Sequence, residues 1–166
     1  MAASRTLILM RHAAAAGGVR DEDRPLTAGG EVVAAEAGEW IRATLPPVDV
    51  VLCSAAVRTR QTLAALAIDA PTEYLDELYN GGVDDIAEQI GKVEDAARTV
   101  LVVGHSPGIP STAYQLATND ESAQTPLIEE LRSFSAGAIA VVRAHTPWHD
   151  LMDEGGELVT VRHPNQ

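Results

Sequence analysis

Leu7-Ile8-Leu9-Met10-Arg11-His12 and Val100-Leu101-Val102-Val103-Gly104-His105 are the two stretches whose reading decides the fold. Each is an unbroken apolar run of strand length that ends by delivering a histidine. A continuous run, rather than an alternating one, marks a strand buried on both faces, as in a parallel sheet covered by helices. Open α/β sheets place their chemistry at the carboxyl ends of such strands. One histidine there fits a ring satisfied by neighbouring backbone; two strands that each hand over a histidine suggest a shared site.

The intervening segments alternate in kind. A charged, Gly-containing loop (Gly17 to Pro25) precedes a helix from the N-cap Thr27 to Thr44, stopped by Pro46-Pro47. Val48 to Cys53 reads as another buried strand, with Ser54 as N-cap of a helix reaching Ile68. An extended piece (Thr72 to Leu75) leads to the loop Asp76 to Gly82, and a helix covers Val83 to Ala97. After His105, Ser106-Pro107 reads as the N-cap and first residue of a helix to Ala117, followed by a polar loop, Thr118 to Thr125. Ala138 to Ala144 and Glu157 to His163 read as strands joined around the acidic turn Asp153-Glu154-Gly155-Gly156. The expectation is an α/β, three-layer α/β/α sandwich with a mostly parallel central sheet and an antiparallel edge, one domain over residues 1–166.

Composition narrows the function. The chain has 166 residues, 46% hydrophobic and 22% charged, which suits a globular domain with its own core. Its net charge of −12 argues against nucleic acid or an anionic membrane as partner. No apolar run approaches membrane-spanning length and the start lacks a signal-peptide core, so a cytoplasmic location is expected. Cys53 is the single cysteine and reads as an inert buried thiol. An anionic substrate would need a compact local cluster of cations against this acidic background.

Arg11 and Arg58 can form that cluster. Arg11 offers a planar fork for phosphate or carboxylate beside His12, which can act as a nucleophile through one ring nitrogen. Arg58, in Ser54-Ala-Ala-Val-Arg58-Thr-Arg-Gln-Thr62, falls in the first turn of its helix, where a cation is electrostatically misplaced unless an anion is near. Arg60 reads as solvated.

Two other chemistries are rejected. Gly104-His105-Ser106-Pro107-Gly108 matches a hydrolase nucleophile elbow, with Asp150 and His163 in triad order. The residue after the serine must supply an oxyanion-hole N–H, and Pro107 has none. Ser106 is kept as a helix cap whose hydroxyl lines the site. His145 and His149 have zinc-like spacing but are separated by Pro147 and read as surface residues. No metal or other cofactor is expected.

The ordered set Leu-Met-Arg11-His12-Ala, Asp-Arg24-Pro25-Leu26-Thr27-x-x-Gly30, Ser54-x3-Arg58-x2-Gln61-Thr62 and Val-Gly-His105 resembles the histidine phosphatase superfamily, and most of all its SixA-type phosphohistidine phosphatases. The resemblance covers nearly the whole chain. It implies a nucleophile at His12, a phosphate pocket of Arg11, Arg58 and His105, and a proton donor at Glu77 or the adjacent Asp76. It also implies a further phosphate contact at Arg24, whose alternative role is to tether its loop to a carboxylate. The family's usual Arg-His-Gly is here Arg11-His12-Ala13. The implied substrate is a phosphorylated protein of the histidine-containing phosphotransfer type. A small phosphate ester or a catalytically silent phosphoprotein-binding role on the same fold are the alternatives. The chain is read as a monomer.

Overall fold

The computed structural model describes residues 4–120 and 125–164. Strands β1 (Arg5–Arg11), β2 (Val50–Ser54), β3 (Thr72–Leu75), β4 (Thr99–Gly104), β5 (Ile139–Ala144) and β6 (Glu157–Arg162) form one sheet in the order β3-β2-β4-β1-β5-β6. The first four in that order are parallel, and β5 and β6 add antiparallel on the other side of β1. The expected three-layer sandwich with an antiparallel edge is therefore the fold. Thr72–Leu75 is a full member of the sheet, as its edge strand.

Period-two alternation sorts the central strands onto two cores. Ile8, Met10, Val51, Cys53, Leu101 and Val103 meet α1 (Ala28–Thr44) and α2 (Val57–Leu66) through Ala37, Ile41, Leu63 and Leu66. Leu7, Leu9, Leu52, Val100 and Val102 face the larger cluster on the other side. That cluster holds residues of α3 (Val83–Gly91), α4 (Gly108–Asn119) and α6 (Leu151–Glu154), with Trp148 fully enclosed. Cys53 is among the buried residues, and burial pushes its thiol up to about 12, which keeps it inert.

Several helix limits differ from expectation, each for a local reason. The helix after β2 begins at Val57, because Ser54 is the last residue of β2 and its hydroxyl is engaged elsewhere. Ser106 is not a cap either: α4 starts at Gly108, and the Ile109 N–H bonds back to the His105 carbonyl, 2.9 Å. α3 stops at Gly91 instead of reaching Ala97. The Asp95 and Ala97 carbonyls serve tertiary bonds instead, from Arg5 Nη2 (3.1 Å) and Trp148 Nε1 (2.7 Å). Of the polar segment expected as a loop, Thr118 and Asn119 end α4 and Thr125 begins α5 (Thr125–Glu130), while 121–124 lie outside the described residues. Asp153-Glu154 is the end of α6 rather than part of a hairpin turn. Among the described residues no helix is long and apolar enough to cross a membrane.

Parallel pairing of β1 with β4 sets Arg11 opposite Gly104, so the residues that follow, His12 and His105, leave the sheet side by side. Chain order departs from sheet order here, since β4 is inserted between β1 and β2. Such reversals open a crevice beyond the strand ends.

Candidate active site

His12 is held by backbone on both sides. Its N–H donates to the Gly104 carbonyl (3.0 Å), and its carbonyl accepts from Gly137 N–H (2.9 Å). The residue is 8% exposed, with ring Nδ1 2.7 Å from the Ala13 carbonyl. A carbonyl can only accept, so Nδ1 carries the hydrogen and the lone pair sits on Nε2. The His105 ring stands 5.3 Å away, centroid to centroid, at 61°. Its Nε2 lies 2.8 Å from Oγ of Ser54, fully buried at the end of β2. Three neighbouring strand ends thus converge on one point.

Two guanidiniums flank it. Arg11 Nη1 donates to the Phe134 carbonyl, 2.9 Å. Arg58, second residue of α2, donates from Nη1 to the Asp21 carbonyl (2.6 Å) and from Nη2 to Asp21 Oδ2 (3.2 Å). In both arginines Nε is buried and has no partner among the described residues. Arg5 and Arg162 also leave a buried Nε unpaired, so what distinguishes Arg11 and Arg58 is their place beside the two histidines, where cations suit anionic oxygens.

The remaining motif residues hold this arrangement. Thr62 Oγ1 donates to the Arg58 carbonyl (2.8 Å) and accepts from Ala13 N–H (3.0 Å), tying α2 to the loop after His12. Gln61 Oε1 accepts from Leu26 N–H, 2.8 Å. Thr27 caps α1 by accepting from Gly30 N–H at 2.9 Å, as expected. Gly30 is required because a Cβ there would lie 2.2 Å from the Ala14 carbonyl oxygen. Ala13 is readily accommodated: it is not among the positive-φ residues, and its methyl packs with Leu26 and Ala34.

The structure brings His12, His105, Arg11 and Arg58 together and treats the other expected residues differently. Arg24 takes the tethering role, donating from Nε to the Ala16 carbonyl (2.8 Å) and from Nη1 to Asp21 Oδ1 (3.1 Å). Glu77 is exposed, and its carboxylate accepts from Gln89 Nε2 on α3 (3.5 Å). Asp76 is likewise exposed. Ser106 is exposed beside the site. No triad forms around it: the Asp150 carboxylate meets His149 (3.5 Å), and His163 lies against Phe134 and Ser135. Among the described residues no group of three or more His, Cys, Asp or Glu could hold a metal ion.

Asp21, Tyr79 and Ser54 are site residues that motif reading missed. The Tyr79 hydroxyl donates to Asp21 Oδ2, and its ring stands edge-on to His105 at 5.6 Å and 5.8 Å from the Arg58 guanidinium. A signal existed for Asp21, which lies three residues before Arg24 and pairs with it.

Burial dominates the electrostatics. It pushes His12 down to about 4, with Arg58 and Arg11 adding to the effect and the bond to Ala13 opposing it. Burial, then the proximity of His12 and Arg58, also brings His105 to about 4, against the pull of Asp21. Both rings are therefore neutral at physiological pH, as a nucleophilic imidazole must be. Between about 6.5 and 4 the unfolded chain binds protons that the native pair refuses. Stability contributed at this pair is thus full above about 6.5 and falls as the pH drops toward 4. In NMR titration the His12 and His105 ring signals are expected to hold their neutral shifts from pH 8 down to about 5; a midpoint near 6.5 for either would contradict the burial described.

A groove of about 720 Å³ opens from Arg11 and Ser106 between α4 and residues 131–135, lined by Pro110, Tyr114, Leu131 and Phe134 among others. Of the four converging residues Arg11 alone lines this groove, which therefore lies beside the histidines.

Comparison with known proteins agrees with this geometry. Residues 7–142 match the model of the histidine phosphatase superfamily (branch 1). A structure from Nakamurella multipartitia, named as a candidate phosphohistidine phosphatase SixA, is 50% identical and superposes with a TM-score of 0.95 over 99% of both chains. The uncharacterized protein Rv1276c of Mycobacterium tuberculosis is 44% identical over 146 residues, 86% of this chain and 91% of that one. The fold is also that of the protein histidine phosphatase SixA complexed with tungstate (TM-score 0.75, 24% identity, 94% and 95% coverage). With its two strand-end histidines and flanking arginines inside the matched segment, the chain belongs to the histidine phosphatase superfamily, branch 1, and is of the SixA type.

Proposed function

We propose that this protein is a phosphatase that forms a phosphohistidine on His12 and removes phosphate from a phosphorylated histidine of another protein. The observation that carries the reading is His12 itself: an Nε2 lone pair fixed by the bond to Ala13, beside two cations with unpaired Nε–H groups. In the first step Nε2 attacks phosphorus in line. A P–N bond forms at His12 as the substrate's P–N bond breaks, and the electron pair leaves on the substrate nitrogen. With a proton already on its other ring nitrogen, the substrate imidazole departs neutral. Water then attacks phosphorus, loses a proton to solvent, and returns the electron pair to Nε2 as inorganic phosphate leaves. Arg11, Arg58 and His105 surround the oxygens whose charge is redistributed.

Preference for a P–N bond is supported by what stands near the histidines. The carboxylate there is Asp21, which the Tyr79 hydroxyl, then Arg24 and Arg58, hold down at about 2, so it is ionised. Tyr79 is shifted up, chiefly by the same hydrogen bond, and is a poor proton donor at neutral pH. An alkoxide leaving group needs such a donor and a neutral imidazole does not. The name of the similar Nakamurella protein points the same way. The proposal takes the chain as a single cytoplasmic domain.

The test is kcat/KM on a phosphorylated histidine-containing phosphotransfer protein against a panel of sugar and nucleotide phosphates. The phosphoprotein is expected to be favoured by roughly 10²-fold or more, the worth of a missing general acid. Equal or better turnover of a small ester would replace this reading with a metabolite phosphatase.

A further inference from the structure

Arg58 is a buried cation whose two Nη groups are both spent on one residue of the loop before α1. Nη1 bonds the Asp21 carbonyl at 2.6 Å and Nη2 bonds its carboxylate at 3.2 Å, while the Arg58 side chain is 7% exposed. The same carboxylate receives the Tyr79 hydroxyl and, on its other oxygen, Arg24 Nη1. Asp21 therefore joins three separate parts of the rim: its own loop through Arg24, α2 through Arg58, and the turn after β3 through Tyr79. Tyr79 in turn stands against both His105 and the Arg58 guanidinium.

A guanidinium is planar, so fixing both Nη groups fixes the direction of the remaining Nε–H. That N–H is the unpaired, buried one. We propose, resting on the phosphatase reading above, that Asp21 is the positioning residue of the phosphate pocket: it clamps the Nη edge of Arg58 so that the Nε–H edge is presented to the transferring phosphoryl group. Asp21 touches no reacting atom. Its side chain is 53% exposed whereas that of Arg58 is buried, so it holds the cation from the solvent-accessible rim. It also supplies the counter-charge that a buried guanidinium needs before substrate arrives.

A competing role would have the opposite consequence. If the carboxylate acted as a resident mimic of phosphate, removing it would free Arg58 and tighten the binding of anions. If it positions Arg58, removing it loosens the fork and weakens them.

The experiment is a double-mutant cycle of Asp21→Ala and Arg58→Ala, read by kcat and KM on p-nitrophenyl phosphate and by calorimetric binding of orthovanadate, with thermal unfolding of each variant. In the wild-type background Asp21→Ala is expected to lower kcat/KM and vanadate affinity about tenfold, the scale of one hydrogen bond to a charged group, with a lower unfolding temperature but cooperative unfolding retained. The fall in kcat/KM should include kcat, because orientation matters most in the transition state. In the Arg58→Ala background the same substitution is expected to change neither quantity by more than about twofold. Equal losses in the two backgrounds, or tighter vanadate binding by Asp21→Ala, would overturn the positioning role. A wild-type protein that neither turns over nor binds vanadate would instead overturn the phosphatase reading beneath it. Arg58→Ala is an informative background provided its unfolding remains cooperative; Arg58→Met, which keeps the buried stem, completes the cycle otherwise.

Discussion

His12→Ala is expected to abolish turnover, with a loss of roughly 10⁴-fold or more in kcat, because no second group replaces a covalent nucleophile. His105 is not expected to take over, its Nε2 being engaged with Ser54 Oγ. The fold is expected to survive, since the backbone bonds at this position, to Gly104 and from Gly137, do not involve the ring. The imidazole's own hydrogen bond is local, to the Ala13 carbonyl. Circular dichroism and thermal unfolding should therefore match wild type while phosphate release, followed colorimetrically, falls to the uncatalysed background. A His12→Ala protein with near wild-type turnover would remove the phosphohistidine route. Loss of turnover together with loss of vanadate binding and of cooperative unfolding would report a folding defect instead.

Arg58→Ala has the second largest expected effect, a loss of roughly 10² to 10³ in kcat, as for removal of one preorganised donor facing developing charge. Arg58 also lowers the pKa of both site histidines. Removing it should ease their protonation and move the acid limb of the pH–rate profile upward, toward neutrality. Arg58→Lys is expected to recover only part of the loss. A lysine keeps the charge but cannot bond the Asp21 carbonyl and carboxylate in a fork while presenting a third N–H. Activity of Arg58→Ala within about threefold of wild type would mean that Arg11 and His105 suffice. Arg24 should matter less, since two of its donors are committed to Ala16 and Asp21.

Much of this architecture was legible in the chain, for reasons that also explain what was not. The central strands are buried on both faces, and burial writes an unbroken apolar run that few other structures share. The two histidines follow such runs directly, so their position at the strand ends was readable, and parallel pairing then put them together. Thr27 was readable as a cap because an ordinary N-cap bond to Gly30 closes there. Ser54 and Ser106 carry the same residue type before a helix and are not caps. Each lies where a strand hands over through a bend, and Ser54 is claimed by His105. Local sequence holds no record of that long-range bond. The resemblance points to Glu77, whose carboxylate accepts from Gln89, while Asp21 and Tyr79 meet at the rim without any motif to announce them. Those two meet across 58 positions of chain, and a pairing of that kind is decided by the fold rather than by spacing. α3 shows the same effect from the other side, its last expected turn yielding to bonds from Arg5 and Trp148.

The covalent intermediate on His12 can be trapped directly. Wild-type protein mixed with excess phosphorylated substrate and quenched within a turnover into alkaline denaturant, where phosphohistidine survives, allows the phosphoryl group to be located by peptide mass spectrometry. One phosphoryl group is expected on His12, formed and lost at the rate of turnover and absent from His12→Ala. Turnover with no label on the protein, or with the label on His105 or Ser106, would contradict it.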